Sequence, residues 1–386
     1  MKLFFFLCCL FILSGATGQV NEYNKKIRIA EQDNKYGIYY EDQLAVACNY
    51  DEIIRVNDFC FRVKQKGKYG MISVIQQNQR NRKQQCDSPF SIRTKKGYLS
   101  IVPVLPCEYD RIENKGNLLE LTQNEKLGMA NHYGTVMVPC RYDEIRMVNN
   151  NFYVTLGEKQ GVYNYYGNVV IPCKYSDIEF KKNNYYVTDG DQKGVYNYYG
   201  NTVIPCKYTD IELLNNNYYV TQGAYHGVIN YYGNTIIPTK YTSIEKEGSN
   251  YTVFNGKLKG IINPYGNTII PCNYESIQKE NNNYYVTREG KQGIINPYGN
   301  TIIPCNYDEI TTIRNRYIVK NDGQYGVINV YGNTILPCRF SNIELLANGS
   351  YMTTSGEDRQ IYNAYGTMIS NYSGNNVVYS TDKAVQ

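Results

Sequence analysis

The chain has 386 residues, with 42 Tyr, 12 Cys, two His and no Trp. Lys and Arg number 40 against 35 Asp and Glu, a net charge of +5. Spread over this length, with only a short basic stretch at Arg80, Arg82 and Lys83, that surplus is too weak to imply nucleic acid or an anionic membrane surface, and neither nucleic acid nor a membrane is expected as a partner. In chain order, residues 1–18 read as a signal peptide. Lys2 gives the positive start, Leu3 to Leu13 the apolar run, and Ala16-Thr17-Gly18 the small residues for cleavage before Gln19. That run covers about 16 Å as a helix, too short for a hydrocarbon core of roughly 30 Å. The expectation is export to a secreted, periplasmic or extracellular location with no membrane span.

After a lead over residues 19–34, residues 35–369 repeat. Gly128, Gly161, Gly194, Gly227, Gly260, Gly293 and Gly326 recur at a spacing of 33, and Pro106 to Pro337 keep the same step. A second glycine series runs from Gly134 to Gly332 in the same register. Within one unit, Asn197-Tyr198-Tyr199-Gly200 has the Asn-first, Gly-last preference of a type I turn. Two copies read Asn263-Pro264-Tyr265-Gly266 and Asn296-Pro297-Tyr298-Gly299, with Pro where such a turn favours it. Runs rich in Val, Ile, Tyr and Thr flank the turn and read as strands, and Tyr218 to Thr221 supplies a third.

The fold class expected is all-β: a tandem-repeat array of about ten 33-residue three-stranded β-meander units, an open solenoid rather than a closed β-propeller. A unit this small cannot bury a core alone, so neighbours must stack. Val203-Ile204, Ile236-Ile237 and Ile269-Ile270, with Ile211, Ile244, Ile277 and Ile310 at the corner, are the expected core. A corner such as Tyr307-Asp308-Glu309-Ile310 has room for a single helical turn. Worn end units, with Gln43 and Gln360 replacing glycines, suit caps of an open array. An insert at residues 76–98 interrupts the second unit, and residues 370–386 form a tail.

The string Lys-x-Gly-Val-Tyr-Asn-x-x-Gly-Asn-Thr-Val-Ile-Pro-x-x-Tyr-x-x-Ile resembles the WG-repeat (KWG-type) family, most clearly at Pro139 to Ile145 and Pro304 to Ile310. The resemblance spans roughly Lys35 to Ile369. It implies an interaction role without an assigned activity. The Trp that names the family is absent; its slot holds Tyr36, Tyr69, Leu127, Gln160, Lys193, His226, Lys259, Gln292 and Tyr325.

The cysteines form a ladder at the corner: Cys48, Cys107, Cys140, Cys173, Cys206, Cys272, Cys305 and Cys338. Thr239 takes the slot once, and equivalent residues of stacked units stand too far apart for a disulfide's Cα separation of about 4.4–6.8 Å. They read as buried free thiols. Cys60 and Cys86 lie off the ladder, and a Cys60–Cys86 bridge pinning the insert is an alternative there. No Cys-x-x-Cys occurs, and His132 and His226 occupy different slots, so neither zinc nor any other cofactor is expected. His132 reads as a turn residue. Neither His has a repeated nucleophile beside it, and Asp143-Glu144 and Asp308-Glu309 read as solvated corners, so no catalytic residue is assigned.

Tyrosine carries the functional expectation. Alternation along a strand lets only one of two neighbouring tyrosines enter the core, and Tyr gives rigid amphipathic contact area. The candidate binding surface comprises Tyr165, Tyr198, Tyr231, Tyr186, Tyr219 and Tyr285. The function expected is an exported, non-enzymatic binding or scaffold module for a protein or cell-surface glycan, through a repeated Tyr/Asn surface. The alternatives are a purely structural spacer and a hydrolase-type enzyme centred on the insert. Asn250, Asn348 and Asn371 head Asn-x-Ser/Thr sequons.

Overall fold

The computed structural model describes residues 26–78, 90–94, 97–373 and 376–379. The expected signal peptide, Cys86 and most of the insert lie outside the described residues. Among the described residues every regular element is a strand, and the strands form ten antiparallel sheets in chain order. The all-β tandem-repeat array is therefore as expected, and among the described residues no sheet closes into a barrel. Two compact units divide it, residues 1–206 and 207–386.

Each regular repeat has four strands, one more than expected. In the first unit one sheet comprises Glu144–Val148, Asn151–Leu156, Lys159–Asn164 and Val169–Tyr175 in that order. In the second, Ser276–Glu280, Asn283–Arg288, Lys291–Ile295 and Thr301–Tyr307 repeat the plan. The additional strand is the one after the corner. A two-residue hairpin joins it to the next, and both turn residues have positive φ: +49° and +59° at Asn149 and Asn150, +47° and +66° at Asn281 and Asn282. That is the type I′ geometry for which Asn is among the few suitable residues.

The corner is not helical. Thr301–Tyr307 ends, Asp308 bends the chain, and Glu309–Ile313 starts the next sheet. The Asp308 N–H donates to the Lys320 carbonyl at 2.8 Å, and its carboxylate accepts from the Asp322 N–H at 2.8 Å and pairs with Lys291 at 2.6 Å. With its donor and side chain committed to neighbouring segments, nothing remains to close a helical turn. Asp143 makes the corresponding contacts with Thr155, Gly157 and Lys126.

Packing runs from sheet to sheet. Val162, Val170, Ile171 and Tyr175 of one sheet meet Ile178, Tyr185 and Val187 of the next. In the second unit Ile261, Ile270 and Tyr274 meet Tyr284, Val286 and Ile295. Each unit is thus a solenoid-like series in which consecutive repeats share a core, as one-dimensional repeat proteins do. Of the pairs Val203-Ile204, Ile236-Ile237 and Ile269-Ile270, only the second is buried, because neighbouring strand residues point oppositely.

The bulkiest part of the core is aromatic and polar-tipped. Tyr142, Tyr175, Tyr185, Tyr218, Tyr251 and Tyr351 are fully buried. Buried phenols need partners for their hydroxyls. Asn151 donates to Tyr185 at 3.1 Å, and Asn217 to Tyr251 at 3.1 Å, each tying one repeat to the next. The Tyr142 and Tyr163 hydroxyls bond at 2.8 Å, and Arg141 donates to both. The slot of the missing Trp lies opposite the corner aromatic, with Gln160 paired to Tyr175 and Lys259 to Tyr274. In both pairs the corner tyrosine is buried and the slot residue only half-buried, so the aromatic volume comes from across the ladder.

The corner cysteines are free thiols, half-buried rather than fully so. Pro172, Cys173 and Lys174 together oppose Gly161 in a bulge, where a residue without an N–H is tolerated. A Cβ on Gly128 would lie 2.6 Å from the Cys140 Sγ, so the leading glycine is the space the thiol fills. Thr239 places its hydroxyl against Gly227 in the same way. Cys305→Thr is therefore expected to change stability by less than about 1 kcal/mol in thermal unfolding; a loss of several would show that sulfur is required there.

Strands extend beyond both expected ends of the array. Ile27–Gln32, in the lead, pairs with Lys35–Tyr40, and Asn376–Tyr379, in the tail, pairs with Met368–Ser373. At the insert, Lys68–Asn78 pairs antiparallel with Gly97–Tyr109, and Ser91–Thr94 pairs with the latter at the edge of the sheet.

Candidate binding surface

The turn between the third and fourth strands is the same in every regular repeat. The Gly167 N–H donates to the Asn164 carbonyl at 3.0 Å, and the Asn164 side chain accepts from the Tyr166 and Asn168 N–H groups, each at 3.0 Å. The same bonds recur around Asn263, Asn296 and Asn329 with nearly the same lengths, so Asn is the turn's internal scaffold.

This scaffold sends its two central side chains in different directions. The first lies back over the sheet: Tyr165 stacks on Phe152 at 6.3 Å, and Tyr231 on Tyr218 at 6.1 Å. The second projects outward. Tyr133, Tyr166, Tyr199, Tyr232, Tyr265, Tyr298, Tyr331 and Tyr365 are 63–89% exposed. Next to the turn glycine, Asn168, Asn201, Asn234, Asn267, Asn300 and Asn333 are exposed too. Six of these tips thus present a phenol ring and an amide on either side of a glycine; at Tyr133 and Tyr365 the amide is replaced by Thr135 and Thr367.

The tips are carried from sheet to sheet by one repeated contact. Gly266 has φ +89°, and a Cβ there would lie 2.6 Å from the Ile236 carbonyl oxygen of the preceding repeat. Gly299 stands likewise over Ile269, and Gly332 over Ile302. No other residue type fits both the backbone and the approach.

The tyrosines expected at the surface divide into two groups. Tyr165 and Tyr198 are 37% and 41% exposed at the turns, and Tyr231 is half-buried beside them. Tyr186, Tyr219 and Tyr285 are half-buried on the second strands. Tyr219 and Tyr285 pack on the inter-sheet cores, and the Tyr285 hydroxyl bonds Thr312. Lys181 stands 4.4 Å from the Tyr186 ring centre. The strongly exposed tip tyrosines, Tyr133, Tyr166 and Tyr199 in the first unit and Tyr232, Tyr265, Tyr298, Tyr331 and Tyr365 in the second, are not among the expected residues. Their signal is present in the sequence: Tyr holds the third turn position in all these copies, while the second varies among His132, Tyr165, Pro264, Val330 and Ala364.

The remaining chemistry is structural. His132 occupies the varying turn position, half-buried, with its ring nitrogens 3.4 Å from Asn57 Nδ2 and 3.3 Å from Asn114 Oδ1. Burial holds its pKa below the usual value. Cys60 is a buried free thiol 3.3 Å from the Ser73 hydroxyl; its expected partner Cys86 lies outside the described residues. Burial also pushes the Cys140 thiol up to about 11, away from the reactive thiolate. Among the described residues no group of three His, Cys, Asp or Glu could hold a metal ion, and no helix is long and apolar enough to cross a membrane. Of the sequons, Asn348 is exposed on a turn, whereas the Asn250 amide is used by Tyr284 at 3.3 Å. An open depression of about 330 Å³ adjoins Tyr165, lined also by Lys115, Asn117, Leu118, Met147 and Asn150.

Stacked four-stranded meanders with one invariant turn define a tandem β-repeat protein. The family model of the WG containing repeat matches residues 128–155, 161–189, 194–222, 260–291 and 293–325, and these repeats belong to that family. No curated protein matches the chain. Similar solved structures include a eukaryotic initiation factor, at 11% identity and TM-score 0.21, covering 74% of this chain and 96% of that one. AztD of Citrobacter koseri shows 10% identity and TM-score 0.21 over 74% and 91%. PorZ, a surface component of the type-IX secretion system of Porphyromonas gingivalis, shows 8% and 0.18 over 85% of this chain and 52% of its own.

Proposed function

We propose that the chain is an exported, non-enzymatic binding module whose contacts are made by the turn tips. One observation carries this reading: a large aromatic residue is kept at a strongly exposed turn position of successive repeats, where neither the turn hydrogen bonds nor the core requires it. Equivalent tips make the binding multivalent, so weak single contacts add through effective concentration. The leader expected at residues 1–18 supports a location outside the cytoplasm.

Replacing Tyr232, Tyr265, Tyr298 and Tyr331 with Ala tests it. Each change is expected to alter stability by no more than about 0.5 kcal/mol, as for exposed positions. Retention on immobilised extracellular polysaccharides or extracellular-protein fractions is expected to fall at least about tenfold, stepwise with each tip removed. A spacer would show retention indifferent to the tips, and that result would reject the binding reading.

A further inference from the structure

From the chemistry of the tips we infer that the ligand is a long, uncharged polysaccharide; this rests on the tips being the contact surface. Six tips read Asn-Tyr-Tyr-Gly-Asn-Val, Asn-Tyr-Tyr-Gly-Asn-Thr twice, Asn-Pro-Tyr-Gly-Asn-Thr twice, and Asn-Val-Tyr-Gly-Asn-Thr. None contains a charged residue, in a chain 19% charged. Elsewhere on the same sheets charges are abundant and paired, as Lys159 is with Asp189 and Lys291 with Asp308. Charge is therefore missing from the tips rather than from the protein. An anionic polymer would call for Lys or Arg here, and a basic partner for Asp or Glu.

The groups that are present match a sugar. The C–H face of a pyranose ring is weakly positive and apolar, and packs on the negative face of an exposed phenol. The exposed amide two residues further on, Asn267 beside Tyr265 or Asn300 beside Tyr298, offers both donor and acceptor to vicinal hydroxyls. The tips are protruding, so a small sugar would be held on one side only. A chain long enough to touch several tips of one unit gains what a single contact lacks. In residues 207–386 those tips are Tyr232, Tyr265, Tyr298, Tyr331 and Tyr365.

The test is depletion of the intact protein from solution by insoluble cellulose, chitin and β-1,3-glucan, with alginate beads as the anionic contrast, at low and high salt. The expected result is retention on at least one neutral polymer, unchanged by salt. Short oligosaccharides of the same sugar are expected to compete poorly. Joint Tyr→Ala replacement at residues 232, 265, 298 and 331 should lower retention at least about tenfold. Tyr→Phe at the same sites should preserve most of it, because the ring face remains; this also separates lost contact from lost folding, which circular dichroism checks directly. Retention on alginate alone, abolished by salt, would overturn the inference. So would absence from every neutral polymer. If that absence accompanied tip-dependent retention on an extracellular-protein fraction, the tips would stand as the contact surface and the glycan would fall. Retention indifferent to the tips on every probe would overturn both.

Discussion

Gly299→Ala is expected to cost about 2–5 kcal/mol, far more than Gly290→Ala in the same repeat. Both glycines have positive φ, +90° and +74°, so each substitution incurs the left-handed penalty of about 1–2 kcal/mol. Around Gly290 nothing lies within 4 Å of the added carbon. At Gly299 the new carbon would sit 2.5 Å from the Ile269 carbonyl oxygen, a backbone atom of the preceding repeat that cannot rotate away. Overpacking of this kind adds about 1–3 kcal/mol. The difference between the two variants, read from denaturant unfolding, isolates the contact that joins repeats. Equal losses would show that the turn backbone, and not the stacking, is what glycine serves.

Alkaline unfolding is expected between pH 10 and about 12. Burial pushes the Tyr109 phenol from 10.0 up to about 12, and burial is also the largest cause of the upward shifts at Tyr142, Tyr175, Tyr185 and Tyr251. In this window the unfolded chain releases phenol protons that the native core retains. The native state therefore binds more protons, and stability falls as pH rises. Well below the ordinary phenol range these groups are neutral in both states and the loss is absent. The shifts act together over several repeats, which makes the transition steep. Absorbance near 295 nm should report ionisation of core phenols in step with the loss of far-ultraviolet circular dichroism. Complete, reversible titration of every tyrosine with the sheet signal intact would contradict the buried-phenol core.

Much of the architecture was legible because turns announce themselves. Asn-Pro-Tyr-Gly needs its Asn to accept two backbone N–H groups and its Gly to take positive φ, and the structure uses both. The fourth strand was less visible, since Glu212-Leu213-Leu214 and Gln278-Lys279-Glu280, before Asn215-Asn216 and Asn281-Asn282, share no common strand pattern. Those Asn pairs are nevertheless the type I′ hairpin that makes the strand. At the corner, local sequence allows a helical turn, because it does not show that Asp308 binds Lys291, Lys320 and Asp322 on segments distant in the chain.

Which tyrosines face outward is marked in the sequence only by the constancy of the third turn position, not by any local packing rule. Strand alternation correctly separates Tyr218, fully buried, from Tyr219, half-buried. No such rule separates Tyr231 from Tyr232, because both sit in a turn. Their fates depend on the Tyr218 ring beneath the first and on the outward direction of the second. Period, strand content and turn type are short-range properties, written in glycine, proline and asparagine positions, and the residues alone determined them. Exposure of the tips, the glycine-to-carbonyl contacts and the polar partners of buried phenols come from residues about one repeat apart. Only stacking brings those residues together, so only the tertiary structure decided them.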